Sequence, residues 1–192
     1  MDSKQEKISL RKQIRKQKVA FKRDGIISSD KQILDRVLAL LEYAAAGMIF
    51  CFVSTPTEIN TIPLLEHAFA QDKGVAVPRC AVPGIMEVCQ IHSFQELTPG
   101  AYGILEPKDT CRIISKQEID FAIVPCMSCD RECNRLGQGG GYYDRFMTER
   151  TYLAAALCRE ALLLDHVPLE PWDQPVDMVV TEEGIYRKKS GK

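Results

Sequence analysis

Short, nearly unbroken apolar runs set the tightest limit on how this chain can fold. MIFCFV (48–53), VAVP (75–78) and DFAIVP (120–125) are each flanked by polar or turn residues. Runs this short and this apolar are strands covered on both faces, as in a parallel sheet. YLAAALC (152–158) and DMVVT (177–181) read the same way, and IMEVCQI (85–91) alternates as a strand should. Helical patterns lie between them. KQEKISLRKQIRKQKVAF carries a thin apolar stripe of Ile8, Leu10, Ile14, Val19 and Phe21. SSDKQILDRVLALLEYAAAG is stronger, with Ile33, Leu34, Val37, Leu38 and Leu41 at helical spacing. Ser28 or Ser29 can cap its start and Gly47 its end. TIPLLEHAFAQDKG is helical, and a short helix is predicted from Tyr142 to Arg150. LTPGAYGILEPKDT, rich in proline and glycine, reads as a loop. Strands alternating with helices predict an α/β fold: a single three-layer domain over 1–192, with a mostly parallel or mixed sheet flanked by helices.

Charge excludes little by itself. The formal net charge of −1 gives no overall electrostatic case for nucleic acid. Its distribution is uneven, because residues 1–23 hold nine Lys or Arg against two acids. A basic start faces either solvent or an anionic ligand. No segment reaches the roughly 18 apolar residues of a membrane-spanning helix, and the start lacks the apolar stretch of about 7–15 residues of a signal peptide. The expectation is a cytoplasmic monomer without nucleic-acid or membrane partners, its eight cysteines reduced.

The chemistry concentrates in RLGQGGGYYDR (135–145), which follows the DFAIVP strand and leads into the predicted helix. Ligands of open α/β sheets sit at the carboxyl ends of strands. Glycines let backbone N–H groups approach an anion closely, so a phosphate is the natural guest. The stretch is neither a dinucleotide fingerprint, because Tyr142 stands where the third glycine belongs, nor a Walker A loop, because no Lys-Ser or Lys-Thr follows. Asp144, just beyond the glycines, suits Mg²⁺, which takes one or two carboxylates plus phosphate oxygens. His67, His92 and His166 are scattered and fit no triad or zinc-protease motif, and there is no Gly-x-Ser-x-Gly elbow.

RLGQGGGYYDRF resembles the glycine-rich signature of the 5-formyltetrahydrofolate cyclo-ligase family. KISLR (7–11), FVSTPTEINT (52–61), VPR (77–79), GAYGILEP (100–107) and PVDMVVTEEGIY (175–186) resemble further family segments, in the right order. The resemblance implies ATP- and Mg²⁺-dependent closure of 5-formyltetrahydrofolate to 5,10-methenyltetrahydrofolate, with ADP and phosphate released. It implies ATP contacts from Lys7, Ile8, Ser9, Leu10 and Arg11, and from Arg135, Leu136, Gly137, Gln138, Gly139, Gly140, Gly141, Tyr142 and Tyr143. Folate contacts are implied for Arg11, Val53, Glu58 and Tyr102, and for Gln138 through Tyr142. Asp144 and Asp177 are implied for Mg²⁺, and Arg135, Tyr142 and Asp144 for catalysis.

One segment departs from the pattern. In VPCMSCDRECNR (124–135), Cys126, Cys129 and Cys133 stand where the family has glycine, phenylalanine and glycine. Their spacing admits two readings, thiolate ligands of a metal with a fourth from Cys111, Cys158 or a histidine, or buried small hydrophobes. A positive φ at Cys133 would strain a cysteine. Two alternatives to the enzyme therefore stay open, a catalytically reduced folate- or nucleotide-binding protein on the same scaffold and a cysteine-ligated metal protein.

Overall fold

The computed structural model describes residues 2–21, 23–82, 84–100 and 103–189. In chain order the elements begin with α1 (Ser3–Val19), α2 (Arg23–Leu38), α3 (Leu41–Ala45), β1 (Met48–Cys51) and α4 (Ile62–Ala70). β2 (Gly74–Val82), β3 (Ile85–Ile91), β4 (Leu97–Pro99), β5 (Leu105–Pro107) and β6 (Phe121–Val124) follow. The chain continues with β7 (Ser128–Cys129), β8 (Arg135–Leu136), α5 (Tyr142–Met147), β9 (Leu153–Leu157), β10 (Met178–Val180) and β11 (Ile185–Arg187). Seven strands form the main sheet in the order β11-β10-β9-β6-β1-β2-β3. The five inner strands run parallel, and each edge strand is antiparallel to its neighbour.

The apolar runs are central strands because both sheet faces are covered. Ile49, Cys51, Phe121 and Ile123 pack into one core with Ile33, Val37, Leu64 and Leu65 of α2 and α4. Phe50, Ala122 and Val124 face the opposite core, which α1 and α5 close with Ile14, Phe146 and Met147. This is the three-layer α/β arrangement the alternation predicts.

Local readings differ in four places. The long second helix is two: Leu40, extended at φ −69 and ψ 132 and only 4% exposed, turns into the core and breaks it. Ser28 and Ser29 therefore lie inside α2, which starts earlier, and Gly47 follows Ala46, the residue that ends α3. The 97–110 segment holds the small β4–β5 hairpin. α5 stops at Met147, where the Thr148 hydroxyl donates back to the Asp144 carbonyl and Glu149 takes φ 52. Of the apolar stripe on α1, Ile8 and Val19 face solvent, and the inward face is Lys7, Arg11, Ile14 and Lys18. Those positions follow a 4-3-4 spacing, one side of a helix.

Candidate functional site

The chain leaves β1 for β2 on one side of the sheet and returns to β6 on the other. Such a reversal opens a crevice beyond the carboxyl ends of the two strands. A cavity of about 580 Å³ lies there, with Phe52 and Val53 continuing β1 into its wall and Pro125 and Cys126 continuing β6.

The glycine loop forms another wall. The β7–β8 pairing sets Cys129 opposite Arg135 and so fixes the loop's base. Three arginines then bind it. Arg11 Nε donates to the Gly137 carbonyl at 2.8 Å, and Arg145 Nη2 to the Gly140 carbonyl at 2.7 Å. Arg135, 6% exposed, donates from Nη2 to Asp144 Oδ1 at 2.8 Å and from Nη1 to the Pro125 carbonyl at 3.2 Å. Gly139 and Gly141 have φ of 104 and 67, which L side chains rarely adopt. Among the described residues, the backbone N–H groups of Gly137 through Gly141 have no protein acceptor. A run of open N–H groups on a turning backbone is a concave anion site. α5, only six residues long, adds little dipole of its own.

Asp144 sits beside this run. Its Oδ1 accepts from Arg135 and, at 3.4 Å, from the Gln174 N–H, and among the described residues Oδ2 has no partner. One free carboxylate oxygen next to an anion cradle fits Mg²⁺, whose remaining positions go to phosphate and water. Glu58 also lines the cavity. Its Oε2 is held by the Thr55 N–H and hydroxyl at 2.8 and 2.9 Å, which aims the carboxylate. Burial pushes the Tyr143 phenol well above its usual range, so it stays a neutral hydroxyl. Burial, with Arg15 close by, lowers the pKa of Arg11. Glu170, Asp173 and Asp144 act in the opposite direction, so the guanidinium sits among carboxylates as well as beside the loop.

Most of the residues picked from sequence meet at this cavity: Lys7, Arg11, Val53, Glu58, and Arg135 through Asp144. Lys7 arrives already paired, however. Its side chain is 4% exposed, and its ammonium is bound by Glu170 at 2.9 Å and by Asp173. Ile8, Ser9 and Leu10 are not among the lining residues. Nor is Asp177, whose Oδ2 is taken by Arg150 at 2.8 Å and the Ala154 N–H at 2.7 Å. That carboxylate ties the start of β9. Tyr102 lies outside the described residues.

The cysteine triplet separates. Cys133, φ 69 and fully buried, directs its Sγ toward the Tyr186 carbonyl at 3.4 Å, away from Cys126 and Cys129. Among the described residues, no three His, Cys, Asp or Glu side chains are arranged to hold a metal ion. Sequence reasoning missed Arg145, and it missed LEPWD (169–173), whose acids bind Lys7 and whose Trp172 lines the cavity. The available signal was an acidic, aromatic segment in a chain whose basic start lacked a partner.

The 5-formyltetrahydrofolate cyclo-ligase family model matches residues 3–182. A Schizosaccharomyces pombe protein described as a probable 5-formyltetrahydrofolate cyclo-ligase is 30% identical over 182 residues, covering 85% of this chain and 89% of that one. The Mycolicibacterium smegmatis 5-formyltetrahydrofolate cyclo-ligase is 39% identical over 144 residues, covering 71% and 74%. The NMR structure of Aquifex aeolicus 5,10-methenyltetrahydrofolate synthetase superposes with a TM-score of 0.86 at 25% identity, covering 97% of this chain and 94% of that one. With the match spanning β1 through β10, the glycine loop and Asp144, the chain belongs to the 5-formyltetrahydrofolate cyclo-ligase family.

Proposed function

We propose that this chain catalyses ATP- and Mg²⁺-dependent cyclisation of 5-formyltetrahydrofolate to 5,10-methenyltetrahydrofolate, releasing ADP and phosphate. The observation that carries the reading is the run of open N–H groups from Gly137 to Gly141, facing Arg11, Arg135 and Asp144 in one cavity. The chemistry requires such a place. A formamide oxygen is a poor leaving group. Transfer of the ATP γ-phosphoryl group to it forms an O–P bond and breaks the bond to ADP. The N10 lone pair then attacks the formyl carbon, the C–O bond breaks, phosphate departs with its electrons, and N10 loses its proton.

Phosphoryl transfer depends mainly on positioning and charge stabilisation. The loop N–H groups and the Arg11 guanidinium serve the phosphates. Arg135, pinned by Asp144 and Pro125, adds a positive charge fixed before substrate arrives. Mg²⁺, when bound, neutralises charge on the transferring group, and Asp144 is the residue that would hold it. Val53, Glu58 and the apolar wall of Phe52, Pro78 and Met86 suit the folate ring system. Cytoplasmic, monomeric action is part of the same proposal.

ADP release tests the coupling. ADP should appear only when 5-formyltetrahydrofolate is present. Nucleotide binding without folate-dependent ADP release would instead mark a catalytically reduced binding protein.

A further inference from the structure

The spacing Cys126-x-x-Cys129 invites a pairing within that motif, but the sheet supplies a different partner. β6 and β9 run parallel with Val124 opposite Ala156. Two residues beyond each stand Cys126 and Cys158, carried to the same face of the sheet by the strand period. Both pack into the α1–α5 core, and both line one small cavity of about 10 Å³. Cys126 Sγ lies 3.1 Å from the carbonyl of Leu157, the residue before Cys158. Adjacent strands lie about 4.7–4.9 Å apart, inside the Cα separation of about 4.4–6.8 Å that a disulfide spans.

Access to the three thiols is unequal. Cys126 is half-buried and lies in the wall of the large cavity, whereas Cys129 and Cys158 are buried. S–H donation from Cys129 and from Cys158, with Lys18 and Arg135 adding positive charge, draws the Cys126 thiol below its usual range. Burial pushes Cys129 up, and contact with Cys126 pushes Cys158 up. Cys126 is thus the thiol that a reagent in the large cavity reaches first, and Cys158 lies buried behind it.

We propose that Cys126 and Cys158 form a reversible dithiol–disulfide pair in the wall of the cavity, closed by a small disulfide entering through that cavity. The Cys126 thiolate attacks one sulfur of the small disulfide; an S–S bond forms to Cys126, the original S–S bond breaks, and one small thiolate leaves and takes up a proton. Cys158, deprotonated, attacks Cys126 Sγ and expels the second small thiolate, which is protonated in turn. Two protein thiols are oxidised and one small disulfide is reduced to two thiols. Because the Pro125 carbonyl accepts from Arg135 at 3.2 Å, closure pulls on the Arg135–Asp144 pair and lowers turnover. This last consequence rests on the cyclo-ligase reading, and the cross-link itself does not.

The test incubates the folded protein with 2-hydroxyethyl disulfide, alkylates the remaining thiols and maps disulfides by mass spectrometry without reduction. A Cys126–Cys158 linked peptide is the expected result, with that pair of thiols lost to alkylation in addition to any Cys80 held as a mixed disulfide, and all of them restored by dithiothreitol. Cys158→Ala should instead trap Cys126 as a mixed disulfide with the reagent. Cys80 also lines the large cavity and is partly exposed, so it reports that reagent has entered. Modified Cys80 beside an untouched Cys126, or linkage of Cys126 to Cys129, overturns the proposal. A cross-link that forms without loss of folate-dependent ADP release in an active preparation removes the turnover consequence and leaves the site.

Discussion

At the scale of single residues, Lys7 and Arg11 of α1 have different tasks. Lys7 is neutralised by Glu170 and Asp173 and pins the helix to the 169–173 segment. Arg11, one turn on, keeps its guanidinium against Gly139, and its Nε donates to the Gly137 carbonyl. Arg11→Ala removes that tie and a charge on the phosphates. Loss of a hydrogen bond involving a charged group costs about 1.5–3 kcal/mol, so kcat/KM should fall roughly ten- to hundredfold. Steady-state kinetics at varied ATP measures this, and wild-type values would make the basic helix a solvated one. Asp144→Asn acts twice. From sequence, helix stability should barely change, since a dipole contact is worth about 0.3–1 kcal/mol. The ion pair to the buried Arg135 alters that expectation, because the arginine would be left underpaired. Asp144 keeps 20% side-chain exposure, so the loss should be about 2–3 kcal/mol, short of the full penalty for a buried pair. Thermal denaturation reads that loss. The rate of the same variant, followed against Mg²⁺ concentration, should recover in part as Mg²⁺ rises. A rate indifferent to Mg²⁺ would confine Asp144 to holding Arg135.

At the scale of elements, legibility followed burial. β1, β6, β9 and β10 were readable because central strands must be apolar on both faces, and that need is written in consecutive residues. The break at Leu40 was not readable. Leu34, Val37, Leu38 and Leu41 keep helical spacing through it, and only the tertiary core decides that Leu40 turns inward. The β4–β5 hairpin was hidden because its residues lie mostly at the surface and give no alternation. The inward face of α1 was hidden more deeply, since pattern reading looks for apolar stripes and this face is three cations around one isoleucine. Ile14, 0% exposed, is the sole apolar anchor of α1 among its fully buried residues. Ile14→Ala should cost about 2–4 kcal/mol and loosen α1 selectively. Hydrogen exchange should rise in residues 3–19 while β6 and β9 stay protected. Uniform exchange across both would show that α1 is not a separately docked element. The loop itself makes a second element-scale prediction. Gly139→Ala forces a side chain to φ 104, at a cost of about 1–3 kcal/mol. Calorimetric titration should show weakened ATP binding in a protein with an intact sheet, and unchanged affinity would remove the loop as a phosphate cradle.

At the scale of the whole molecule, the site exists because of strand order. Its walls come from residues as far apart as Lys7 and Asp173, gathered by the reversal between β1 and β6. The glycine loop was legible because conformational freedom must be encoded locally, by glycine itself. Its basic partner Arg11, and Glu58 in the same cavity, entered through the family resemblance. Glu170 and Asp173 could not be placed, because nothing local shows that the far end of the chain returns to α1. Asp177 shows the same limit: an acid before a strand looks alike whether it faces a cavity or, as its Oδ2 does here, binds the Ala154 N–H of the neighbouring strand. The cysteine spacing shows neighbours along the chain only, whereas the β6–β9 register brings Cys158 up beside Cys126. The central claim is that this arrangement closes a folate ring at the expense of ATP. Its most direct test is the absorbance of 5,10-methenyltetrahydrofolate, followed in one cuvette as 5-formyltetrahydrofolate, Mg²⁺ and finally ATP are added to the folded protein. Absorbance should stay flat until ATP completes the mixture and then rise, and the rise should fail when Mg²⁺ is withheld. A folded protein that forms no methenyl product with all three present, or forms it without ATP, contradicts the account.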